Sequence, residues 1–308
     1  MLTFLFDIFL CKGIIIYGGN EMDKDYSALI IDIKRSKSYD INVRNDVQGY
    51  LMKCIKLLNN VYQNTIVCDV IFSAGDELQG LFNSPVAAVL YWRILEFLVY
   101  PVQIRAGIGV GEWNVRIDGG ISTEQDGPAY HNARNAIEEV RKRRMQSIRI
   151  NSKSEKDVFT NYLINNSMGY KRGQNYMQNM LQLVSEIMYP FVEEDKRTGI
   201  DDFVYKILEL KVNYKVKENT FSRSASISQT RVLDLNDLSI YVQDEISISG
   251  LIIDFEEVVI KKGMSINIAE VMHKSRQNID VVMKRGNILL IRGMDYMALQ
   301  YIKKKHGE

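Results

Sequence analysis

Residues 65–82 read TIVCDVIFSAGDELQGLF. Thr65–Phe72 and Leu78–Phe82 are strand-like runs, and the Ser73-Ala74-Gly75-Asp76 stretch between them has the Gly and Asp of a tight turn. The spacing predicts a hairpin with Asp76 at its tip. Upstream, YSALIIDI at 26–33 is a short apolar run with β-branched residues, which predicts a buried strand ending at a single acid, Asp32. Between the two, Val43, Val47, Leu51, Ile55, Leu58 and Tyr62 recur at steps of three and four, one face of a helix over 41–63. Downstream, Ser84-Pro85 is an N-cap followed by Pro at the first helical position, opening an apolar helix to about Tyr100. VQIRAGIGV at 102–110 is a fourth strand. The order β-α-β-β-α-β predicts an α+β fold of the ferredoxin-like kind, a palm with both helices on one face of an antiparallel sheet.

The rest of the chain follows from length and charge. At 308 residues, with 46% hydrophobic, 25% charged and only 4 Pro, the composition is globular, which excludes a disordered or fibrous chain. Pro128–Arg144 reads as a helix ending in the basic run Arg141-Lys142-Arg143-Arg144, and Ser147–Ile150 as a closing strand. The palm therefore spans 22–150. A mainly helical connecting region covers 151–260, with helices near 155–166, 174–193 and 200–211 and no assignment for 215–260. The net charge of +1 conceals an asymmetry: residues 261–308 hold ten Lys/Arg against four Asp/Glu, on a body with 29 against 34.

Three cysteines, Cys11, Cys54 and Cys68, lack metal-type pairing and suggest a reducing, cytoplasmic setting. Leu2–Leu10 is apolar but contains Asp7, lacks a positive leader and is too short to span a bilayer, so no membrane association is expected. Residues 1–21 are expected to be an extension upstream of a start at Met22.

In a palm, Asp32 and Asp76 lie side by side at one sheet edge. Two such carboxylates can share a pair of Mg²⁺ or Mn²⁺ ions, since hard cations prefer oxygen ligands, and the Ile33 carbonyl or Glu77 can complete the shell. The plainer reading is a strand end and a turn. Lys34 and Ser36 follow Asp32 where a triphosphate meets backbone amides in a palm enzyme; the alternative is a solvated loop. Arg105 suits a phosphate, or a carboxylate across the sheet. Gly107, Gly109 and Gly111 form a GxGxG run with no helix following at once, so no dinucleotide fingerprint is read there. Trp113 reads as a packing residue.

IIDIKRSKSY (30–39), FSAGDELQGL (72–81), IRAGIGVGE (104–112) and DGPAYHNAR (126–134) resemble the SatD family. Its N-terminal half is similar to class III nucleotidyl cyclases and, more distantly, diguanylate cyclases. The resemblance implies that Asp32 and Asp76 are metal ligands; beside them Lys34, Ser36, Gly75, Arg105 and Arg134 are the candidates for a nucleotide. It also brings departures. Val70 stands where ATP-using cyclases carry a base-reading Lys. In the motif Gly-x-x-Val-Asn-x-Ala-x-Arg, counted from Gly127, this chain has His131 and Asn135 at the Asn and Arg places, with Arg134 displaced by one residue. One residue rotates a helical side chain by about a quarter turn.

Residues 267–285, NIAEVMHKSRQNIDVVMKR, have the pattern of a helix-turn-helix. Ile268, Ala269, Met272, Ile279 and Val282 face inward, His273 takes the turn position often held by Gly, and Ser275 caps the second helix. Arg276, Gln277 and Asn278 then stand at the exposed start of a recognition helix, with Lys274, Lys284 and Arg285 suited to phosphates. Ile288–Ile291 is expected to form a wing strand, and Lys303-Lys304-Lys305 a further basic patch. A packing hairpin is the alternative, and reading two half-sites requires a homodimer. The leading expectation is a sensor palm that binds a nucleotide with a divalent metal, coupled to a DNA-binding output module. The alternative is an active nucleotidyl cyclase or nucleotidyltransferase acting on a nucleoside triphosphate.

Overall fold

A computed structural model describes residues 14–15, 24–194, 199–214, 233–235 and 238–307. Apart from a two-residue pairing of Ile14–Ile15 with Arg116–Ile117, the expected extension at 1–21 lies outside the described residues. The fold is mixed α+β. Strand β1 (Tyr26–Ile33), helix α1 (Ile41–Val61), the hairpin β2 (Ile66–Ala74) and β3 (Glu77–Phe82), helix α2 (Pro85–Val99), strand β4 (Ile104–Gly111), helix α3 (Pro128–Lys142) and strand β5 (Ile148–Asn151) follow in order. The Ser84 cap read from the sequence accepts from the Ala87 amide with Pro85 opening α2, and Asp40 caps α1 by accepting from the Asn42 and Val43 amides.

The five strands form one sheet in the order β2-β3-β1-β4-β5. β1 is antiparallel to both β3 and β4, and β5 runs parallel to β4. Alternation along β1 sends Leu29, Ile31 and Ile33 toward α1 and α2, while Ala28 and Ile30 face α3 on the opposite side. Burial on both faces explains the unbroken apolar run. α1 and α2 share a face as expected, and α3 covers the other. A Cβ built on Gly109 would lie 2.0 Å from the Ala129 carbonyl oxygen, and one on Gly107 2.4 Å from the Ile137 amide nitrogen. The glycines of the GxGxG run therefore let the backbone of α3 rest on β4.

Beyond the sheet the described residues are mainly helical: α4 (Asp157–Asn165), α5 (Met168–Gly173), α6 (Tyr176–Met188), α7 (Val204–Asn213), α8 (Phe255–Val259), α9 (Met264–Val271), α10 (Arg276–Arg285) and α11 (Ile288–His306). Two short strands, β6 (Phe191–Glu193) and β7 (Ile246–Ile248), pair in parallel. The wing strand expected at Ile288–Ile291 is instead the first turn of α11. Its four apolar residues look like a strand alone, but Ile288, Ile291, Leu299 and Ile302, all buried, keep a helical spacing across the longer window. One apolar cluster runs from Leu29 to Ile302, so α11 packs into the core shared with α1 and α2. Among the described residues no helix is long and apolar enough to cross a membrane.

Candidate functional site

Asp32 is the second-last residue of β1, on the face covered by α3. The ladder sets Glu77 of β3 on one side of it and Arg105 of β4 on the other. Arg105 Nε donates to Asp32 Oδ1 at 2.8 Å and its Nη2 to Oδ2 at 3.2 Å. From α3 above, Arg141 reaches both acids, with Nε 2.7 Å from Asp32 Oδ2 and Nη2 3.2 Å from Glu77 Oε2. Arg134, two helical turns earlier on the same side, closes a fork on Glu77 at 2.7 Å to each oxygen. Ser73 Oγ adds a bond to Glu77 Oε1 at 3.2 Å. Burial raises the Glu77 pKa, but Arg134, Arg141 and Ser73 outweigh it and hold the carboxyl below its ordinary value. The two acids likewise outweigh the desolvation of Arg141 and raise its pKa.

The cluster gathers Asp32, Glu77, Arg105 and Arg134 from the expected set and leaves others aside. Asp76 stays in the turn beside exposed Gly75, whose φ is +61°, and is outside this set. Ile33 ends the β1 ladder opposite Ile104. Ser36 is buried in a single 3₁₀ turn (Ser36–Ser38). Lys34 borders the cluster: burial, then Arg172, Arg35 and Arg105, lower its pKa. His131 is exposed, 3.4 Å from Asp126, and Asn135 is exposed. Asn132 between them is buried and bonds the Val110 carbonyl at 2.9 Å, which fixes α3 to β4. From sequence Arg141 reads only as part of the basic run that ends the helix over 128–144. The signal for it is spacing, seven residues after Arg134 and so on the same face of one helix.

The divalent ions implied by the cyclase resemblance can be tested on these residues. All four carboxylate oxygens accept from guanidinium groups, and three cations face two anions, leaving a formal +1. Among the described residues no group of three or more His, Cys, Asp or Glu is arranged to hold a metal. This donor set does not fit Mg²⁺ or Mn²⁺, which require oxygens free of competing cations.

The second expected surface lies on α9 and α10, joined by a turn over 272–275. His273 in it has φ +48°, the left-handed conformation that makes Gly frequent at this place. Ser275 Oγ accepts from the Asn278 amide at 3.3 Å. Arg276, Gln277, Asn278, Lys284 and Arg285 are exposed, Lys274 is half-buried, and Ile279 beneath them is fully buried. Arg276 pairs with Asp280 at 3.6 Å.

A buried ion network that sequence reasoning missed joins α2, packed on the sheet, to α5, α6 and α11. Arg93 of α2 bonds Glu186 of α6 at 3.0 Å and Asp295 of α11 at 2.9 Å. Arg292 of α11 bonds Glu186 at 2.7 Å, and Lys171 of α5 bonds Asp295 at 2.9 Å. The signal was two charged residues, Arg93 and Glu96, within the otherwise uncharged and mostly apolar PVAAVLYWRILEFLV.

No curated protein matches this chain. A solved structure described as that of a bacterial light-regulated adenylyl cyclase is similar at 13% identity over 42% of this chain and 76% of that chain, with a TM-score of 0.32. Residues 26–197 match the SatD family. That match spans more than half of the 308 residues, and the chain belongs to the SatD family.

Proposed function

We propose that this chain is a nucleotide-responsive DNA-binding protein, with the sheet domain as sensor and the α9–α10 pair as output. The strand order 2-3-1-4 is that of a ferredoxin-like βαββαβ unit and supports reading the N-terminal half as a palm. The arginine cluster over Asp32 and Glu77 supplies planar, forked donors of the kind that bind phosphate groups. On α10, a capped and exposed start carrying Arg276, Gln277 and Asn278 suits base edges in a major groove, and Lys284 and Arg285 suit phosphates.

The observation that carries the reading is that the buried network of Arg93, Glu186, Arg292 and Asp295 ties α2, which packs on the sheet face opposite the arginine cluster, to α6 and α11, which pack against α10. On this reading a ligand that shifts the sheet acts through α2 on the helices that pack with α10. The test is calorimetric titration of the full chain with each nucleoside triphosphate, beside fluorescence anisotropy on duplex DNA at several salt concentrations. The expected outcome is saturable nucleotide binding and a DNA affinity that changes when the nucleotide is present. Arg276→Ala and Gln277→Ala together should weaken DNA binding. Unchanged affinity and salt dependence in that variant would remove the output module from the proposal. The enzyme alternative has less support, since His131 and Asn135 are solvent-exposed and the carboxylates are engaged by arginines.

A further inference from the structure

We infer that the site over Asp32 and Glu77 recognises a chain of phosphates without a divalent ion, with Arg141 as the cation that bridges the two carboxylates. This rests on the nucleotide reading above and adds its cofactor requirement. In a two-metal palm the carboxylates hold cations, and the cations hold the phosphates. Here guanidinium groups already stand on every carboxylate oxygen. Arg141 spans the gap between the acids, 2.7 Å from Asp32 and 3.2 Å from Glu77, where a shared ion would otherwise bridge them.

The arginines are not used up by this role. Arg105, Arg141 and Arg134 each spend two of three guanidinium nitrogens on the acids, leaving Nη1 of the first two and Nε of the third for a further acceptor. The side chains of Arg134 and Arg141 are 43% and 38% exposed, so a ligand can reach them from solvent. The acids orient the guanidinium planes and the surplus positive charge favours an anion, a division of labour suited to forked recognition of phosphate oxygens. Beside Arg105, Arg172 and Arg35 also stand close enough to Lys34 for their charges to act on it, so the positive charge at this edge of the sheet is not confined to the three arginines. A divalent ion entering here would have to displace Arg141 and then sit among uncompensated guanidinium charges.

The experiment uses the full chain and two probes, inorganic tripolyphosphate and ATP, titrated calorimetrically in EDTA and in excess Mg²⁺, beside electron paramagnetic resonance of Mn²⁺ alone. The expected result is tripolyphosphate binding in EDTA at least as tight as in Mg²⁺, and no stoichiometric Mn²⁺ that depends on Asp32. Arg141→Gln should weaken tripolyphosphate by about tenfold or more, the scale of one lost charge-assisted contact. Arg141→Lys, which keeps the charge but not the fork, should recover part of that loss, and thermal unfolding of each variant establishes that it folds. ATP binding tighter than tripolyphosphate identifies a nucleotide; equal binding identifies the phosphate chain alone as the ligand. Phosphate binding only with Mg²⁺ would overturn the inference and leave the nucleotide reading standing, as would one Mn²⁺ per chain that disappears in Asp32→Asn. If neither probe binds under either condition, the nucleotide reading falls and this inference with it.

Discussion

Gly107 and Gly109 stand on β4 where α3 crosses the sheet, and at both places the nearest atoms to an added methyl belong to backbone. Side chains can swing aside; the Ala129 carbonyl, 2.0 Å from a Cβ on Gly109, cannot move without lifting the helix. Gly109→Ala is therefore expected to destabilise the protein by at least the about 1–3 kcal/mol typical of overpacking. It should also loosen Arg134 and Arg141, which ride on the same helix. Gly49, in the middle of α1 with nothing within 4 Å, is the control, and Gly49→Ala should stabilise by about 0.5–1 kcal/mol. Urea unfolding of the two variants beside the parent checks both signs. Equal effects would mean that the contact between α3 and β4 is not a close one.

At the scale of the element, the helical pair α9–α10 shows what local pattern can and cannot convey. The His273 amide bonds the Glu270 carbonyl at 3.2 Å and the Lys274 amide bonds the Ala269 carbonyl at 3.0 Å, so the turn is closed by backbone groups alone. A non-glycine residue in the left-handed region carries a cost of about 1–2 kcal/mol. His273→Gly should relieve part of it, raising stability by about 1 kcal/mol in thermal unfolding, while leaving the exposed α10 side chains unchanged. Caps, glycine turns and one-sided helices were legible because each depends on neighbours within a few residues. The strand at 26–33 and its terminal Asp32 were legible for the same reason. The partner of Asp32 was not: a shift of one place in hairpin register brings Glu77 opposite it rather than Asp76, and register depends on the whole ladder. Arg141 escaped too, because only the crossing of α3 over β1 turns a surface charge into a ligand of two buried carboxylates. In α11, four apolar residues at its start imitated a strand until the next three turns were counted.

Across the whole molecule, charge holds distant parts of the chain together. Removing Arg93 would leave Glu186 and Asp295 buried with fewer partners, so Arg93→Met is expected to cost about 3–5 kcal/mol and to unfold the sheet and the C-terminal helices together. Separate transitions for the two regions would show that the network does not couple them. A second tie lies at the end of α11, where Lys305 pairs with Asp157 of α4. Burial, then the charge of Lys305, push the neighbouring His306 down to about 4, although Asp157 pulls the other way. Its Nε2 is buried with no hydrogen-bond partner, so protonation there gains nothing locally. The unfolded chain takes up this proton near pH 6.5, and the folded chain only near 4. Between those values the unfolded state binds more protons, so stability falls as pH is lowered across this window and the loss from this group is complete below about 4. Since part of the ring is exposed, the effect is about 1–2 kcal/mol rather than the full shift. Asp157 and Asp295, whose ion pairs with lysine and arginine hold them below the ordinary carboxylate range against their burial, add a further loss at lower pH. Denaturant midpoints measured from pH 7 to 4 should decline more steeply in the parent than in His306→Gln. Parallel declines would mean that His306 titrates alike in the folded and unfolded chains.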